Sequence, residues 1–159
     1  DHIDKLEIEN IILDIRDNPG GYLDQAVYIG SEFIREGPIT HIKYKNREGV
    51  TYDSYLKEEK YNLALLVNQN SASASEILAA AVKDRSSGVV IGTTTFGKGT
   101  VQEVLALERG DGIKLTVAEY FSPNMNKIEG RGVIPTIVVE NSFGEDTQLE
   151  KAIEFFTIP

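Results

Sequence analysis

The sequence contains no cysteine and no tryptophan, a single methionine, and only two histidines, His2 and His41. Without cysteine there is no disulfide, no thiolate metal site and no cysteine nucleophile. Two histidines do not make a histidine-rich metal centre. Positive charge is in deficit: 16 Lys+Arg against 25 Asp+Glu leave a net charge of −9. That balance argues against a nucleic-acid or anionic-membrane surface, because both need clustered positive charge. No apolar run approaches the roughly 18 residues of a membrane span, and no secretory leader pattern opens the chain. What is present is 159 residues with 41% hydrophobic content, enough for one domain with a substantial core. The charged opening, Asp1 to Glu9, leads straight into an apolar run. The expectation is a single domain over 1–159 that is a piece of a longer protein.

Hydrophobic periodicity predicts an α/β order. Ile11 to Arg16 reads as a buried strand ending at the turn Asp17-Asn18-Pro19-Gly20-Gly21. Leu23, Ala26, Val27, Gly30, Phe33 and Ile34 fall at helical spacing, and Gly37-Pro38 stops that helix. Residues Ile39–Lys45 and Val50–Tyr55 alternate as a hairpin. Leu63 to Val67 and Val89 to Ile91 read as fully apolar strands, with a small-residue helix from Ser73 to Val82 between them. Thr100–Leu107 and Ile113–Tyr120 form a strand pair about Gly110-Asp111-Gly112, so the C-terminal part is strand-rich. Ser122 to Gly132 is a long loop, followed by a last strand within Val133–Val139 and a last helix over Thr147–Phe156. Crossover strand-helix-strand units place every strand-to-helix loop beyond the strand carboxyl ends. Loops 17–21, 68–73 and 92–99 should therefore converge.

Those loops carry the candidate chemistry. Ser73 followed by Glu76 matches a capping box, in which hydroxyl and carboxylate satisfy helix amides. A serine at a helix start among small residues is also placed to be a nucleophile, with amides and helix dipole favouring an oxyanion. A serine nucleophile needs a base. His2 lies at the terminus and His41 in the hairpin, so a Ser-His-Asp triad has little support. Lys98 serves as a base only if its pKa falls from about 10.4 to near 7–8, a shift worth roughly 4 kcal/mol that an apolar site can supply. Phe96 and Val101 are expected as walls, and Gln102, on the same strand face as Lys98, as the group orienting the amine. A rival reading comes from Gly92 to Lys98, which fits G-x-x-x-x-G-K, but Gly99 replaces the magnesium-binding hydroxyl and a strand pattern follows instead of a helix. In the first loop, Gly20 and Gly21 allow close approach of backbone amides to a ligand. Asp14, Arg16 and Asp17, and the pair Asp84-Arg85, read as structural ion pairs, and Tyr120, Phe121 and Met125 as core or groove lining.

The segments D-I-R-D-N-P-G-G (14–21), V-N-Q-N-S-A-S-A-S-E-I-L (67–78), G-T-T-T-F-G-K-G-T-V-Q (92–102) and the 118–132 stretch A-E-Y-F-S-P…I-E-G-R-G resemble the carboxy-terminal processing (tail-specific) proteases, in the family's order and over most of the chain. The resemblance implies a ClpP/crotonase-like α/β core and a serine endopeptidase with a Ser/Lys dyad. By motif, Ser73 matches the nucleophile, Lys98 the general base and Gln102 the residue orienting it. Ala74 and Gly20 or Gly21 match the backbone oxyanion donors. No cofactor and no metal are implied. The partners implied are protein or peptide substrates, cut near their C-termini, with no nucleic acid, and a homo-oligomer is left open. Family members act outside the cytoplasm, in a bacterial periplasm or cell envelope or an organelle lumen. They carry a PDZ domain and earlier core segments ahead of this region, and Pro135-Thr136 stands where Pro-Asp is usual. Two alternatives remain at this stage: a P-loop-like nucleotide hydrolase and a catalytically silent peptide-binding module.

Overall fold

A computed structural model describes Leu6 and residues 8–157; His2 lies outside them. Four parallel strands form the first sheet in the order β1 (Asn10–Asp14), β4 (Asn62–Val67), β5 (Val89–Gly92) and β8 (Ile137–Val138). Four antiparallel strands form the second, in the order β3 (Val50–Ser54), β2 (Gly37–Tyr44), β7 (Gly112–Phe121) and β6 (Thr100–Ala106). Among the described residues three helices complete the fold: α1 (Leu23–Phe33), α2 (Ala74–Arg85) and α3 (Thr147–Thr157).

Strand β4 is apolar from Leu63 to Val67 because both faces of that stretch are covered. Leu63, Leu65 and Val67 enter a core shared with Ile34 and the α2 residues Ile77 to Val82. Ala64 and Leu66 point the other way, into a core with Val89, Ile91 and Ala152 of α3. Ile39 of β2 belongs to the first core, so α1 and α2 lie between the two sheets and α3 covers the outer face of the parallel one. The burial of every residue from Ala74 to Val82 accounts for the alanine-rich sequence of α2. A helix flanked by a sheet on either side needs small side chains to pack closely. Among the described residues, no helix is long and apolar enough to cross a membrane.

Both predicted hairpins form, and all three helices lie within a few residues of the expected bounds. The last strand is shorter than expected. Pro135 has no N–H to give to a ladder. The Val133 N–H is already donated to Thr95 Oγ1 at 2.7 Å, so pairing with β5 begins only at Ile137. The expected ion pairs are rearranged as well. Arg16 bonds Asp14 and reaches Asp146 ahead of α3 at 2.6 Å, tying that helix to the end of β1. Asp17 instead accepts from the side-chain amides of Asn68 (3.0 Å) and Asn70 (2.7 Å). Asp84 accepts from Ser122 Oγ and the Asn124 N–H, while Arg85 donates to the Glu36 carbonyl.

The Arg16 guanidinium holds the Asp146 carboxyl below the usual carboxylate range. A carboxyl with a lowered folded-state pKa stabilises the fold above its unfolded pKa of about 3.9, and that contribution is lost as pH falls through the lower folded value. The Asp146 carboxylate is largely open to solvent although Arg16 is not, so solvent screening keeps its contribution to about 1 kcal/mol or less. Urea unfolding followed from about pH 7 down to pH 2.5 should show a shallower acid loss of stability in Asp146→Asn than in the wild type.

Candidate active site

The three strand-to-helix loops converge at the carboxyl edge of the parallel sheet, and they are joined by backbone bonds. The Ala72 N–H donates to the Asn18 carbonyl at 3.0 Å, and the Phe96 N–H donates to the Ser71 carbonyl at 3.0 Å. Ser75 Oγ also donates to the Asn18 carbonyl, at 3.1 Å.

Ser73 sits in the turn from β4 into α2 with φ +56° and ψ −115°. A side chain-bearing residue rarely adopts this backbone, and holding it there costs on the order of 1–3 kcal/mol. The surrounding contacts maintain it. The Ser73 N–H donates to Glu76 Oε2 at 2.9 Å, which is the backbone-to-carboxylate half of the expected capping box.

Glu76 does far more than cap. Its side chain is completely buried and accepts three further hydrogen bonds: from Thr95 Oγ1 (2.6 Å), the Gly97 N–H (2.7 Å) and the Lys98 N–H (2.8 Å). One carboxylate thus fastens the Ser73 turn to the backbone of the Lys98 loop. Thr95 Oγ1 in turn accepts the Val133 N–H, and the Gly99 N–H donates to Glu129 at 2.7 Å, extending the network into the 128–133 loop. The sequence did carry a signal of this role. Glu76 is a charge at a helix position whose neighbours are otherwise alanine, serine, isoleucine and leucine, and such a charge is buried only when fully bonded.

The same bonds remove the phosphate-loop reading. The Gly97 and Lys98 amides that would cradle a phosphate are given to Glu76, and strand β6 follows where a helix is required.

Gly20 lies against the Ser73 turn. A Cβ there would sit 2.5 Å from the Ala72 carbonyl oxygen and 2.9 Å from the Ala74 nitrogen, so no other residue fits. Its own N–H donates to Asn18 Oδ1 at 2.9 Å. Among the described residues, the N–H groups of Gly21 and Ala74 have no hydrogen-bond partner. An apolar recess of about 120 Å³ opens beside them, lined by Ile15, Tyr22, Ala26, Ile29 and Leu78 among others.

Ser73, Lys98 and Gln102 line one pocket of about 270 Å³, together with Thr100, Val101, Lys114 and Tyr120. Lys98 is exposed, and among the described residues no hydrogen bond joins its amine to Ser73 Oγ. Gln102 does not share a strand face with Lys98, which precedes β6. It lines the pocket beside a β-bulge. Val101 pairs with Ala118 and the next residue, Gln102, with Thr116. Val117 of β7 is therefore the extra residue and the strand pair bends there, with Val101 and Gln102 both on the pocket. Phe96 is not a wall of this pocket; it is exposed. Tyr120 is half-buried within the pocket, and burial pushes its hydroxyl pKa up. His41 stands in β2, bonded to Thr51 Oγ1 and to the Pro123 carbonyl, away from Ser73.

Fold and site together define an α/β core of the ClpP/crotonase-like type with a strained serine at the mouth of a helix. The profile of peptidase family S41 matches residues 1–139. The carboxy-terminal processing protease CtpB of Bacillus subtilis is 40% identical over 140 residues, covering 87% of this chain and 29% of that protein. The carboxyl-terminal-processing protease of Synechocystis is 38% identical over 161 residues, covering 94% of this chain and 37% of that protein. Among solved structures, the photosystem II D1 C-terminal processing protease superposes with a TM-score of 0.80 at 33% identity, covering 96% of this chain and 40% of that one. The chain belongs to peptidase family S41 and spans about a third of the length of the curated relatives it matches.

Replacing Glu76 by Gln keeps the shape but turns one oxygen into a donor facing donors. Breaking a buried charged hydrogen-bond network of this kind costs about 3–5 kcal/mol. Chemical denaturation of Glu76→Gln should show a loss in that range, whereas a loss under about 1 kcal/mol would contradict the network.

Proposed function

We propose that this chain is the catalytic core of a serine endopeptidase that cleaves protein substrates, near their C-termini, with a Ser73/Lys98 dyad. The observation that carries the reading is the Glu76 carboxylate, which bonds the backbone of both residues and holds them at one pocket. Residues 1–159 are proposed to be a single protease core domain of a longer protein, whose recognition segments lie elsewhere.

In the proposed cycle Ser73 Oγ attacks the scissile carbonyl carbon while its proton passes to the neutral amine of Lys98. The N–H groups of Ala74 and Gly21 receive the developing oxyanion, aided by the positive end of the α2 dipole. Gly21 is preferred over Gly20 as the second donor because the Gly20 N–H is already bonded to Asn18. Collapse breaks the C–N bond, and Lys98 returns the proton to the leaving amine. Water then attacks the Ser73 ester, gives its proton to Lys98, and releases the acid product as Ser73 is reprotonated. Gln102 holds the amine, and substrate lying over the pocket excludes water from it, which favours the neutral lysine. The apolar recess beside Gly21 and Ala74 suits a small apolar side chain of the substrate. No cofactor takes part in these steps. The longer protein is proposed to act in a periplasm, cell envelope or organelle lumen, as the family resemblance implies.

A reduced, alkylated protein incubated with the chain and followed by gel and mass spectrometry tests the assignment. The expected result is fragments from the wild type, with turnover reduced at least about 10³-fold in both Ser73→Ala and Lys98→Met. Cleavage that survives Ser73→Ala, or an uncut substrate with the wild type, would overturn it.

A further inference from the structure

Lys114 belongs to neither the dyad nor its supports, yet it lines the Ser73 pocket. Lys114 and Tyr120 stand on β7 on either side of the bulge at Val117, and the pocket that touches both also takes in Thr100, Val101 and Gln102 of β6, so it is a trough running across the paired strands. At about 3.3 Å per residue Lys114 and Tyr120 are up to roughly 20 Å apart along β7, which bounds the length of the trough.

Its charge is one-sided. The lining residues include two lysines and no carboxylate, in a protein of net charge −9. Lys114 faces Val104 across the ladder, with Gly112 and Thr116 beside it and Gln102 and Ala106 on the diagonals, none of them acidic. Other lysines have partners: Lys57 with Glu36, Lys127 with Glu119, Lys151 with Glu154, and Lys83 on the Ile134 carbonyl. Among the described residues Lys114 has no hydrogen bond or ion pair. In the proposed mechanism Lys98 works as a neutral amine, which leaves Lys114 as the cation of the trough.

We infer that Lys114 is a specificity residue that binds a carboxylate of the substrate, either an Asp or Glu side chain or the free chain terminus. Lys114 lies one ladder step, about 7 Å, beyond the Gln102–Thr116 pair. With the reach of its own side chain, that places the recognised carboxylate about two to four residues from the scissile bond on an extended substrate. The inference rests on the protease reading for the word "substrate", but its test needs no turnover.

Fluorescence anisotropy with Ser73→Ala protein, in low salt, would compare labelled peptides that carry a single Glu at successive positions with their Gln counterparts. A second arm compares free C-terminal acids with C-terminal amides. An exposed lysine–carboxylate pair predicts about two- to fivefold tighter binding of one acid form, weakening as salt is raised. The preference should vanish in Lys114→Gln with binding of the neutral peptide unchanged, and return in Lys114→Arg. A gain in the Glu arm identifies a side-chain carboxylate, and a gain in the terminus arm identifies the chain end; either supports the inference. Equal binding of acid and neutral peptides, a preference that survives Lys114→Gln, or no peptide binding at all would overturn it. Failure of the protease reading shows separately, as an uncut substrate with wild-type protein.

Discussion

The site is organised by one buried carboxylate. Glu76 is removed from water at the first turn of α2, and burying a charge is costly unless its lone pairs are filled. Four donors fill them: the N–H groups of Ser73, Gly97 and Lys98, and the hydroxyl of Thr95. The same bonds offset the strain of a left-handed serine and fix the approach of the lysine loop. Because these donors come from segments 22 residues apart in sequence, the carboxylate also ties the backbone of the Ser73 turn to that of the Lys98 loop, which the chain itself leaves free.

The fold supplies the surroundings that make this arrangement useful. Parallel strands bring three loops to one edge, and a helix between two sheets presents its N-terminus there. The antiparallel sheet closes the site from the other side, and the bulge at Val117 bends the β6–β7 pair where Gln102 lines the pocket. The pocket is cationic in an acidic molecule, so its electrostatics differ from those of the surrounding surface.

Much of this was readable in the chain. The run Leu63–Val67 announced a strand covered on both faces, and the order of strands and helices announced where the loops would meet. Motif resemblance picked out Ser73, Lys98 and Gln102, and the structure places all three on one pocket. What escaped was non-local. That Glu76 serves Thr95, Gly97 and Lys98 as well as its own helix depends on how two loops meet. That Gln102 faces the pocket depends on the register between β6 and β7, which neither strand encodes alone. That Gly21, and not Gly20, keeps a free N–H follows from the Asn18 side chain folding back on its own turn. The last strand was overestimated because apolar periodicity does not show that Val133 is needed by Thr95.

The most direct measurement of the central role of Glu76 is the rate at which a fluorophosphonate reagent labels Ser73, followed by intact mass, in wild-type protein and in Glu76→Gln at a temperature where circular dichroism shows both folded. If the carboxylate positions nucleophile and base together, the wild type gains one adduct at Ser73 and the variant reacts at least about 100-fold more slowly. A folded Glu76→Gln protein that labels at the wild-type rate, or an adduct on another residue, would contradict the account.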